Sequence, residues 1–486
     1  MMGAMAPPFR TTATLLAAVA LAGCTNAPPA PEAPSSASTT TPRAQQAGAG
    51  AGGIGDAYYP EDGNGGYDAL DYAVGITYDP AGKHLDGDTT VTAKATQDLS
   101  RFNLDLSGFD VRAVQVDGQD AQFARDGEHE LVITPKPPVA AGATFKTRVV
   151  YSGTPTTDEG GLGENGWQVS RSGGAYVAGE PHSASTWYPV NDHPRDKATF
   201  SVDAKVPNGW SVVSNGVEEP SREDGGWTTF RWVEKGRVAP YVTTVAIDKW
   251  TFVRSQLPDG TPVVDAYAPG VEGKRADESR VPEVLAFLAT KFGPYPQTSA
   301  GGIFLNENIR FSLETQGRPI YAKWADLDTI VHEQAHQWYG DSVSVQSWAD
   351  ICLNECLASY ASWLWDEHTG TDLDERFRDT VDEVGGNSRF WNRKLYDMGA
   401  GNEFTAVYDK GPLAVHALRR KIGDDKFDAL LKRWFSTHRD GNASWPEFER
   451  MAVEVSGVPG LEPFLASWFR AAAKPAGDDL FPGTLR

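Results

Sequence analysis

Two histidines and a glutamate lie close together in the run HEQAH, which covers residues 332–336. In a helix, residues four apart lie one above the other on the same face, so His332 and His336 can direct imidazole nitrogens at one metal ion. Glu333 lies beside them, where its carboxylate can serve as a general base toward an attacking water. The spacing therefore predicts a helical zinc site with hydrolytic chemistry.

A third ligand for this ion is available in the run WADICLNECLASY, where eighteen residues separate Glu355 from His336. A helix, a short loop and a second helix would return this carboxylate to the imidazoles. Two His and one Glu leave a position open on zinc, which is typical of hydrolytic sites. We therefore predict one zinc ion bound by His332, His336 and Glu355. The alternative is a surface helix that carries two histidines by chance.

The residues around these ligands point to one family. The stretch HQWYGDSVSVQSWADICLNE resembles the HQWFGD and WxDxWLNE region of the GAMEN-type zinc aminopeptidases, which belong to the gluzincins. The resemblance implies a zinc-dependent metalloaminopeptidase with a thermolysin-like catalytic domain. The chain stops 78 residues after Tyr408, so we expect a short form without the family's large helical C-terminal domain.

The resemblance extends to three further segments and implies a role for one residue in each. The stretch AGEPHSASTWYPVNDHPRDKATF resembles the segment that binds the substrate amine, which places this role on Glu180. SLETQ stands where the family has GAMEN, so Glu314 would be a second amine ligand. AVYDKGPLAVHALR resembles the segment whose tyrosine donates to the oxyanion, which is Tyr408 here. Taken alone, such residues are more often solvated carboxylates or a half-buried aromatic.

Two departures from the family pattern affect these expectations. Phe311, Ser312 and Thr315 replace the Gly, Ala and Asn of GAMEN, so the resemblance implies peptide positioning less firmly than zinc binding. Cys352 and Cys356 stand where the family usually has Trp and Gly. We expect them to be small buried thiols, because a bridge between residues four apart is geometrically marginal. Zinc ligation by these thiols is disfavoured, since two His and one Glu already fill the expected set.

Two polar residues near Glu355 have open interpretations. Asn354 and Asp350 could orient the metal ligands. They could equally cap the start of the second helix.

The amino terminus has the pattern of an export signal. Arg10 precedes the apolar run TTATLLAAVALAG, which is too short to span a bilayer, so residues 1–23 are predicted to be a signal peptide. The small residues before Cys24 resemble a bacterial lipobox, which implies lipidation of this cysteine; the alternative is an ordinary signal peptide with a chance Cys. Residues 24–55 are rich in Ala, Pro, Ser, Thr and Gly and predict a disordered tether. We expect an exported protein, either a lipoprotein on the outer face of the membrane or a secreted one.

The remaining chain divides by hydrophobic periodicity. Residues 56–255 contain short alternating runs such as KATFSVDAKVP, separated by Gly, Pro, Asn and Asp, which predicts an antiparallel all-β domain. Residues 256–486 show the helical period in the segments that begin at residues 280, 327, 352, 413, 426 and 461, and SAGGIFLNENIRFSLET contains the expected strands. The fold class is thus an N-terminal β domain followed by a mostly helical catalytic domain.

The formal net charge of -21 disfavours nucleic acid and anionic lipid as partners. We expect peptides with a free N-terminus as substrates and a lipid at Cys24 as the only link to a membrane. Two other functions stay open. An endopeptidase or another hydrolase could use the same zinc site, and the altered GAMEN motif favours this reading. A non-catalytic surface protein could hold zinc as a structural ion, but intact Glu333 and Tyr408 argue against it.

Overall fold

The computed structural model describes residues 48–160 and 163–486, which form a β-rich half and a mostly helical half. The predicted signal peptide, Cys24 and most of the predicted tether lie outside these residues. Within the described residues, no helix combines the length and the apolar character needed to cross a membrane.

The β-rich half contains seventeen strands among the described residues. They are β1 (Gly48–Ala49), β2 (Tyr67–Asp79), β3 (His84–Ala95), β4 (Leu99–Asp105), β5 (Asp110–Val116), β6 (Gln119–Asp120), β7 (Gln122–Asp126), β8 (Glu130–Thr134), β9 (Thr144–Gly153), β10 (Thr157–Gly160), β11 (Gly163–Val169), β12 (Ala175–Ala178), β13 (Ala198–Pro207), β14 (Ser211–Ser214), β15 (Val217–Asp224), β16 (Trp227–Val238) and β17 (Val245–Asp248).

These strands form three sheets. The largest has the order β15-β16-β13-β2-β3-β9-β5-β6, and the other two have the orders β10-β11-β12-β17-β14 and β1-β4-β8-β7. Buried and partly buried residues alternate along the whole of β13, as the sequence pattern predicted. Most neighbours are antiparallel, but β13 pairs with β2 in parallel and β1 pairs with β4 in parallel.

The folded part begins earlier than the sequence predicted. The predicted tether extended to residue 55, but β1 adds to the sheet edge through β4, and Gly50 donates its backbone N–H to the carbonyl of Arg101 at 2.7 Å. Composition suggested disorder because the segment is poor in large apolar residues. Backbone hydrogen bonds to an existing strand need no side chains, so small residues suffice here.

The helical half contributes six strands and ten α-helices to the described residues. Its strands are β18 (Thr251–Gln256), β19 (Pro262–Tyr267), β20 (Ala300–Phe304), β21 (Ile320–Tyr321), β22 (Val343–Val345) and β23 (Gly441–Ala443). Its helices are α1 (Arg275–Glu278), α2 (Val281–Phe292), α3 (Leu327–Ala335), α4 (Cys352–Thr369), α5 (Leu373–Val384), α6 (Ser388–Trp391), α7 (Lys410–Ile422), α8 (Asp424–His438), α9 (Trp445–Ser456) and α10 (Leu461–Leu465), followed by one π-helical turn (Ala466–Arg470).

The first sheet of this half has the order β18-β19-β20-β21. Since β18 belongs to it, the predicted domain boundary after residue 255 falls inside a strand, and the change of architecture lies between β17 and β18. All six predicted helical segments are helical in the structure. The sequence pattern did not identify the short helices α1 and α6 or the longer helices α5 and α9.

Helix α4 lies at the centre of the helical half, packed against α3 and α7. Asp326 caps the start of α3, where its carboxylate accepts the backbone N–H of Thr329 at 3.1 Å. Gly340, with φ of 137°, lies in the turn after α3, where its backbone N–H donates to the carbonyl of Val343 at 2.9 Å. This arrangement places the end of α3 directly against the first turn of α4.

Candidate zinc peptidase site

The predicted metal ligands meet where α3 faces α4. His332 is in the last turn of α3, His336 is the residue that caps it, and Glu355 is in the first turn of α4. The Nε2 atoms of the two histidines are 3.1 Å apart. Glu355 Oε2 lies 3.3 Å from His332 Nε2 and 3.6 Å from His336 Nε2. The three donor atoms therefore form a nearly equilateral triangle.

This triangle fits a zinc ion. Donors at about 2.0–2.1 Å from one tetrahedral ion lie about 3.3 Å from each other, which matches the three separations above. His336 donates Nδ1–H to the carbonyl of Tyr339 at 2.9 Å, so its Nε2 lone pair is directed at the triangle. Burial alone would raise the pKa of Glu355, but the adjacent His336 and His332 imidazoles lower it to about 2. A deprotonated carboxylate is the form that binds metal.

Glu333 lies next to the triangle. It is buried, and its carboxylate belongs to a group with Glu314 and His336 whose candidate donor atoms all lie within 4.8 Å of one another. Burial raises the pKa of Glu333 well above the usual range, and the Glu314 carboxylate adds to this. A raised pKa makes a carboxylate a stronger base, which suits the predicted proton transfer.

The two predicted amine ligands come together from different halves of the molecule. Glu180 follows β12 in the β-rich half, and Glu314 precedes β21 in the helical half. With Glu355 they form a group in which one carboxylate oxygen of each residue lies within 4.8 Å of the other two. Two acceptors around one tetrahedral ammonium at about 2.8 Å are about 4.6 Å apart, so this spacing suits a shared amine. Both side chains are buried, and Glu180 Oε1 accepts no hydrogen bond from the described residues.

Tyr408 stands at the edge of the same site, two residues before α7. Its ring centre lies 6.0 Å from that of His332, and the side chain is 40% exposed. All seven predicted catalytic, metal and amine-binding residues line one cleft of about 370 Å³. The cleft therefore brings together every site residue that the sequence predicted within the described part of the chain.

The segment that departs from GAMEN forms one wall of this cleft. Phe311 and Ser312 line it, and Leu313 pairs with Ile320 through two backbone hydrogen bonds of 2.8 Å. Thr315 donates its hydroxyl to the carbonyl of Arg318 at 2.6 Å, which closes the following turn. The residues that stand in place of the GAMEN residues thus still form an extended wall that carries Glu314.

The cysteine prediction was half correct. Cys352 and Cys356 are both fully buried, but they form a disulfide rather than two thiols. Their Cα atoms are 4.7 Å apart, inside the range that disulfides span, and Cys352 is the first residue of α4. The bond closes the helical turn that contains Glu355.

Asp350 and Asn354, which the sequence could assign either to orienting the metal ligands or to helix capping, have different surroundings. Asp350 accepts the backbone N–H of Trp445 at 2.8 Å, so it caps α9, a helix that the sequence reading did not identify. Asn354 is fully buried and donates to the hydroxyl of Tyr241 at 3.4 Å. Tyr241 in turn donates to Glu314 Oε1 at 3.0 Å.

Several residues of the cleft were missed by the sequence reading. They are Arg310, Trp324, Asp328, Thr329, Ser359, Ser362, Trp363 and Arg376. A signal existed for Asp328, because it lies one helical turn before His332 on the same face of α3. Arg376 lies on α5, which was itself not predicted, so its position could not be inferred.

Comparison with known proteins agrees with this geometry. Residues 68–242 match the Peptidase M1 N-terminal domain, and residues 302–468 match the Peptidase family M1 domain. The structure resembles that of an M1 zinc metallopeptidase from Deinococcus radiodurans with a TM-score of 0.81 and 31% sequence identity, over 87% of this chain and 98% of that one. This chain belongs to peptidase family M1.

Two further comparisons extend this result. A mutant of the D. radiodurans M1 protein has been solved with a bound Tyr-Ser-Ala substrate, and it matches at 30% identity over 87% of this chain and 99% of that chain, with a TM-score of 0.81. Aminopeptidase N of Lactococcus lactis subsp. cremoris is 24% identical over 443 residues, or 83% of this chain and 50% of that protein. The chain spans about half the length of the curated relatives it matches. Membership of family M1 confirms the predicted family, the two-part fold and zinc as the cofactor.

Proposed function

We propose that this M1 protein is a zinc aminopeptidase that removes the N-terminal residue from peptides with a free amine. The observation that supports this most directly is the pair of buried carboxylates, Glu180 and Glu314, beside the zinc donors. Two carboxylates in a desolvated site are costly unless a cation joins them. A substrate ammonium supplies that cation and three hydrogen-bond donors.

The chemistry assigned to each residue follows from its place in the cleft. Zinc held by His332, His336 and Glu355 would supply Lewis acidity toward water and the scissile carbonyl. Glu333 takes a proton from the attacking water and delivers it to the leaving amine. Tyr408, which lines the same cleft, donates a hydrogen bond to the developing oxyanion.

Glu180 and Glu314 set the position of the cut. They bind the ammonium at a fixed place relative to the zinc donors, so only the first peptide bond reaches the reacting groups. The names of the M1 relatives and the tripeptide bound to the D. radiodurans protein support a peptide substrate. Each charge-assisted contact is worth about 1.5–3 kcal/mol, which is roughly a tenfold to hundredfold effect on affinity.

The test compares kcat/KM for matched peptides with a free and an acetylated N-terminus, in the wild type and in Glu180→Ala and Glu314→Ala. We expect the wild type to prefer the free amine by at least tenfold and each variant to lose most of that preference. Zinc content should stay unchanged in both variants. Equal cleavage of the two peptides by the wild type would contradict the proposal.

Such a result would favour the endopeptidase alternative. The observation in its favour is the replacement of three GAMEN positions by Phe311, Ser312 and Thr315. An endopeptidase would also cleave at interior bonds of a longer acetylated peptide, which mass spectrometry of the products would reveal.

We also propose that the protein is exported and anchored through a lipid on Cys24. The support is the sequence pattern alone, an apolar run of signal-peptide length that ends in Leu21-Ala22-Gly23-Cys24. Metabolic labelling with a fatty acid should label the wild type and leave Cys24→Ala unlabelled. Equal labelling, or none in the wild type, would contradict this proposal.

A further inference from the structure

One buried tyrosine contacts the carboxylate of Glu314 and lies beside the segment that carries Glu180, the two residues proposed to bind the substrate amine. Tyr241 lies in a short 3-10 turn, Pro240–Val242, that belongs to the β-rich half. Its side chain is 1% exposed, and its hydroxyl donates to Glu314 Oε1 at 3.0 Å. The same hydroxyl accepts a hydrogen bond from Asn354 at 3.4 Å. Tyr241 therefore joins the wall that carries Glu314 to the helix that carries Glu355.

Two backbone carbonyls of the same turn also accept hydrogen bonds, one from the segment of Glu314 and one from the segment of Glu180. The carbonyl of Val242 accepts the backbone N–H of Gln316, two residues after Glu314, at 3.1 Å. The carbonyl of Tyr241 accepts the hydroxyl of Ser183, three residues after Glu180, at 3.5 Å. The turn thus contacts the segments of both amine ligands, although these segments come from different halves of the molecule.

The direction of the hydrogen bond at Glu314 has a consequence for its second oxygen. A phenol has one proton, and here it is donated to Oε1. With Oε1 occupied and the Glu314 side chain buried, the rotation of the carboxylate is fixed. Oε2 is left to accept a hydrogen bond from a cation in the cleft. Trp348 packs edge-on against the Tyr241 ring at 5.4 Å, which holds the phenol in this orientation.

We propose that Tyr241 is a positioning residue for substrate selection. It orients Glu314 so that one carboxylate oxygen faces the substrate ammonium, and it sets the separation between Glu314 and Glu180. This inference rests on the proposed aminopeptidase function and adds a residue outside the helical half to it. Tyr241 does not contact the attacking water or the scissile bond in this scheme, so its removal should weaken amine binding and leave the chemical step nearly intact.

The test replaces the phenol by a phenyl ring in Tyr241→Phe, which removes the hydroxyl and keeps the packing against Trp348. Binding of the ammonium is present in both the bound substrate and the transition state, so its loss raises KM with little change in kcat. We expect KM for an aminoacyl amide to rise roughly tenfold, the lower range for a charge-assisted hydrogen bond. Zinc content and melting temperature should remain close to the wild type.

A binding measurement separates amine recognition from general damage. L-Phenylalanine and 3-phenylpropanoic acid differ only in the amine, and their inhibition constants are to be measured for both proteins. We expect Tyr241→Phe to weaken inhibition by L-phenylalanine roughly tenfold and to leave inhibition by 3-phenylpropanoic acid unchanged. The matched control is Tyr188→Phe, which removes another buried hydroxyl of the β-rich half, one that contacts Thr243 and not Glu314.

A double-mutant comparison shows whether Tyr241 acts through Glu314. In a Glu314→Ala background the acceptor is absent, so adding Tyr241→Phe should cause no further rise in KM. Additive effects, or an equal loss of both inhibitors, would overturn the proposal, as would a fall in kcat and zinc content with KM unchanged. If Tyr241→Phe does not fold, Glu314→Ala breaks the same hydrogen bond; an equal loss of folding there would assign Tyr241 a purely structural role.

The outcome also distinguishes this inference from the proposed function. If wild-type enzyme shows no preference for free amines, the proposed function fails. If the wild type shows the preference and Tyr241→Phe retains it fully, only the inference about Tyr241 fails.

Discussion

At the scale of single residues, the proton transfer depends on the carboxylate of Glu333. Glu333→Gln preserves the shape of the side chain and all three predicted zinc ligands but removes the base. We expect kcat/KM to fall by on the order of a hundredfold or more, with zinc content unchanged. Glu307→Gln is a suitable control, because Glu307 pairs with Arg171 outside the cleft. Near-normal turnover by a zinc-loaded Glu333→Gln would show that another group is the base.

The hydroxyl of Tyr408 has a different kinetic signature. Its hydrogen bond to the oxyanion strengthens only as negative charge develops, so Tyr408→Phe should lower kcat and leave KM nearly unchanged. The loss of one such donor costs about 2.7–4 kcal/mol, or roughly a hundredfold to a thousandfold in kcat. Steady-state kinetics with a fluorogenic aminoacyl amide measures both constants. A change confined to KM would make Tyr408 a binding residue instead.

At the scale of elements, α7 lies very close to α4 at Gly411. A methyl group on Gly411 would lie 2.8 Å from Cys356 Sγ and 3.2 Å from Cys356 Cα. The sulfur is fixed by its bond to Cys352, so α7 would have to move and take Tyr408 with it. We expect Gly411→Ala to reduce the free energy of unfolding by about 1–3 kcal/mol and to lower kcat.

Thermal unfolding and kinetics of the same preparation check this prediction. Gly386→Ala is the control, since a methyl group there meets no atom within 4 Å. A Gly411→Ala variant with wild-type melting temperature and kcat would show that α7 accommodates the methyl group without displacement.

Helices and strands were predicted correctly where their apolar residues recur with a regular period. The helices α3 and α4 were predicted because their apolar residues recur at the helical period, and β13 because its residues alternate. Helix α9 was missed although it has a readable start, in which Ser444 and Glu447 form a capping box. Helix α5 was missed because few of its residues are apolar.

The site residues that belong to short sequence motifs could be predicted, and those that meet only in the folded structure could not. His332, His336 and Glu355 are identified by spacing within two neighbouring helices. Tyr241 is not, because its contact with Glu314 joins residues 73 positions apart, from the two halves of the chain. The disulfide could not be predicted, since a spacing of four residues does not fix how closely the two side chains approach, and the Cα atoms of Cys352 and Cys356 lie only 4.7 Å apart.

At the scale of the whole molecule, Asp56 binds the amino-terminal segment to both halves. Its carboxylate is buried, lies 3.1 Å from His193 in the β-rich half and accepts the backbone N–H of Trp348 in the helical half at 2.9 Å. Burial by itself would raise the pKa of Asp56, but His193 and the backbone N–H groups of Tyr58 and Trp348 hold it well below the usual range. The carboxylate is therefore charged in the folded protein at neutral pH.

The depressed pKa of Asp56 determines how the free energy of unfolding changes with pH. Asp56 contributes stability above the pKa of an unfolded aspartate, about 3.9, and this contribution is lost as the pH falls below that value. Asp56→Asn should reduce the free energy of unfolding at pH 7 by about 3 kcal/mol. Between pH 5 and pH 2 the variant should lose less stability than the wild type. Denaturant unfolding across this range measures both effects, and parallel curves for the two proteins would contradict the assignment.

The division of the amine ligands between two halves has a consequence for how such a protein can diverge. Glu180 and Tyr241 belong to the β-rich half, whereas the zinc ligands and Glu333 belong to the helical half. Substitutions at the contact between the halves can alter the distance between Glu180 and Glu314 without touching the hydrolytic groups. Descendants of one ancestral sequence could therefore acquire new substrate ranges through changes at this contact while they retain the same reaction.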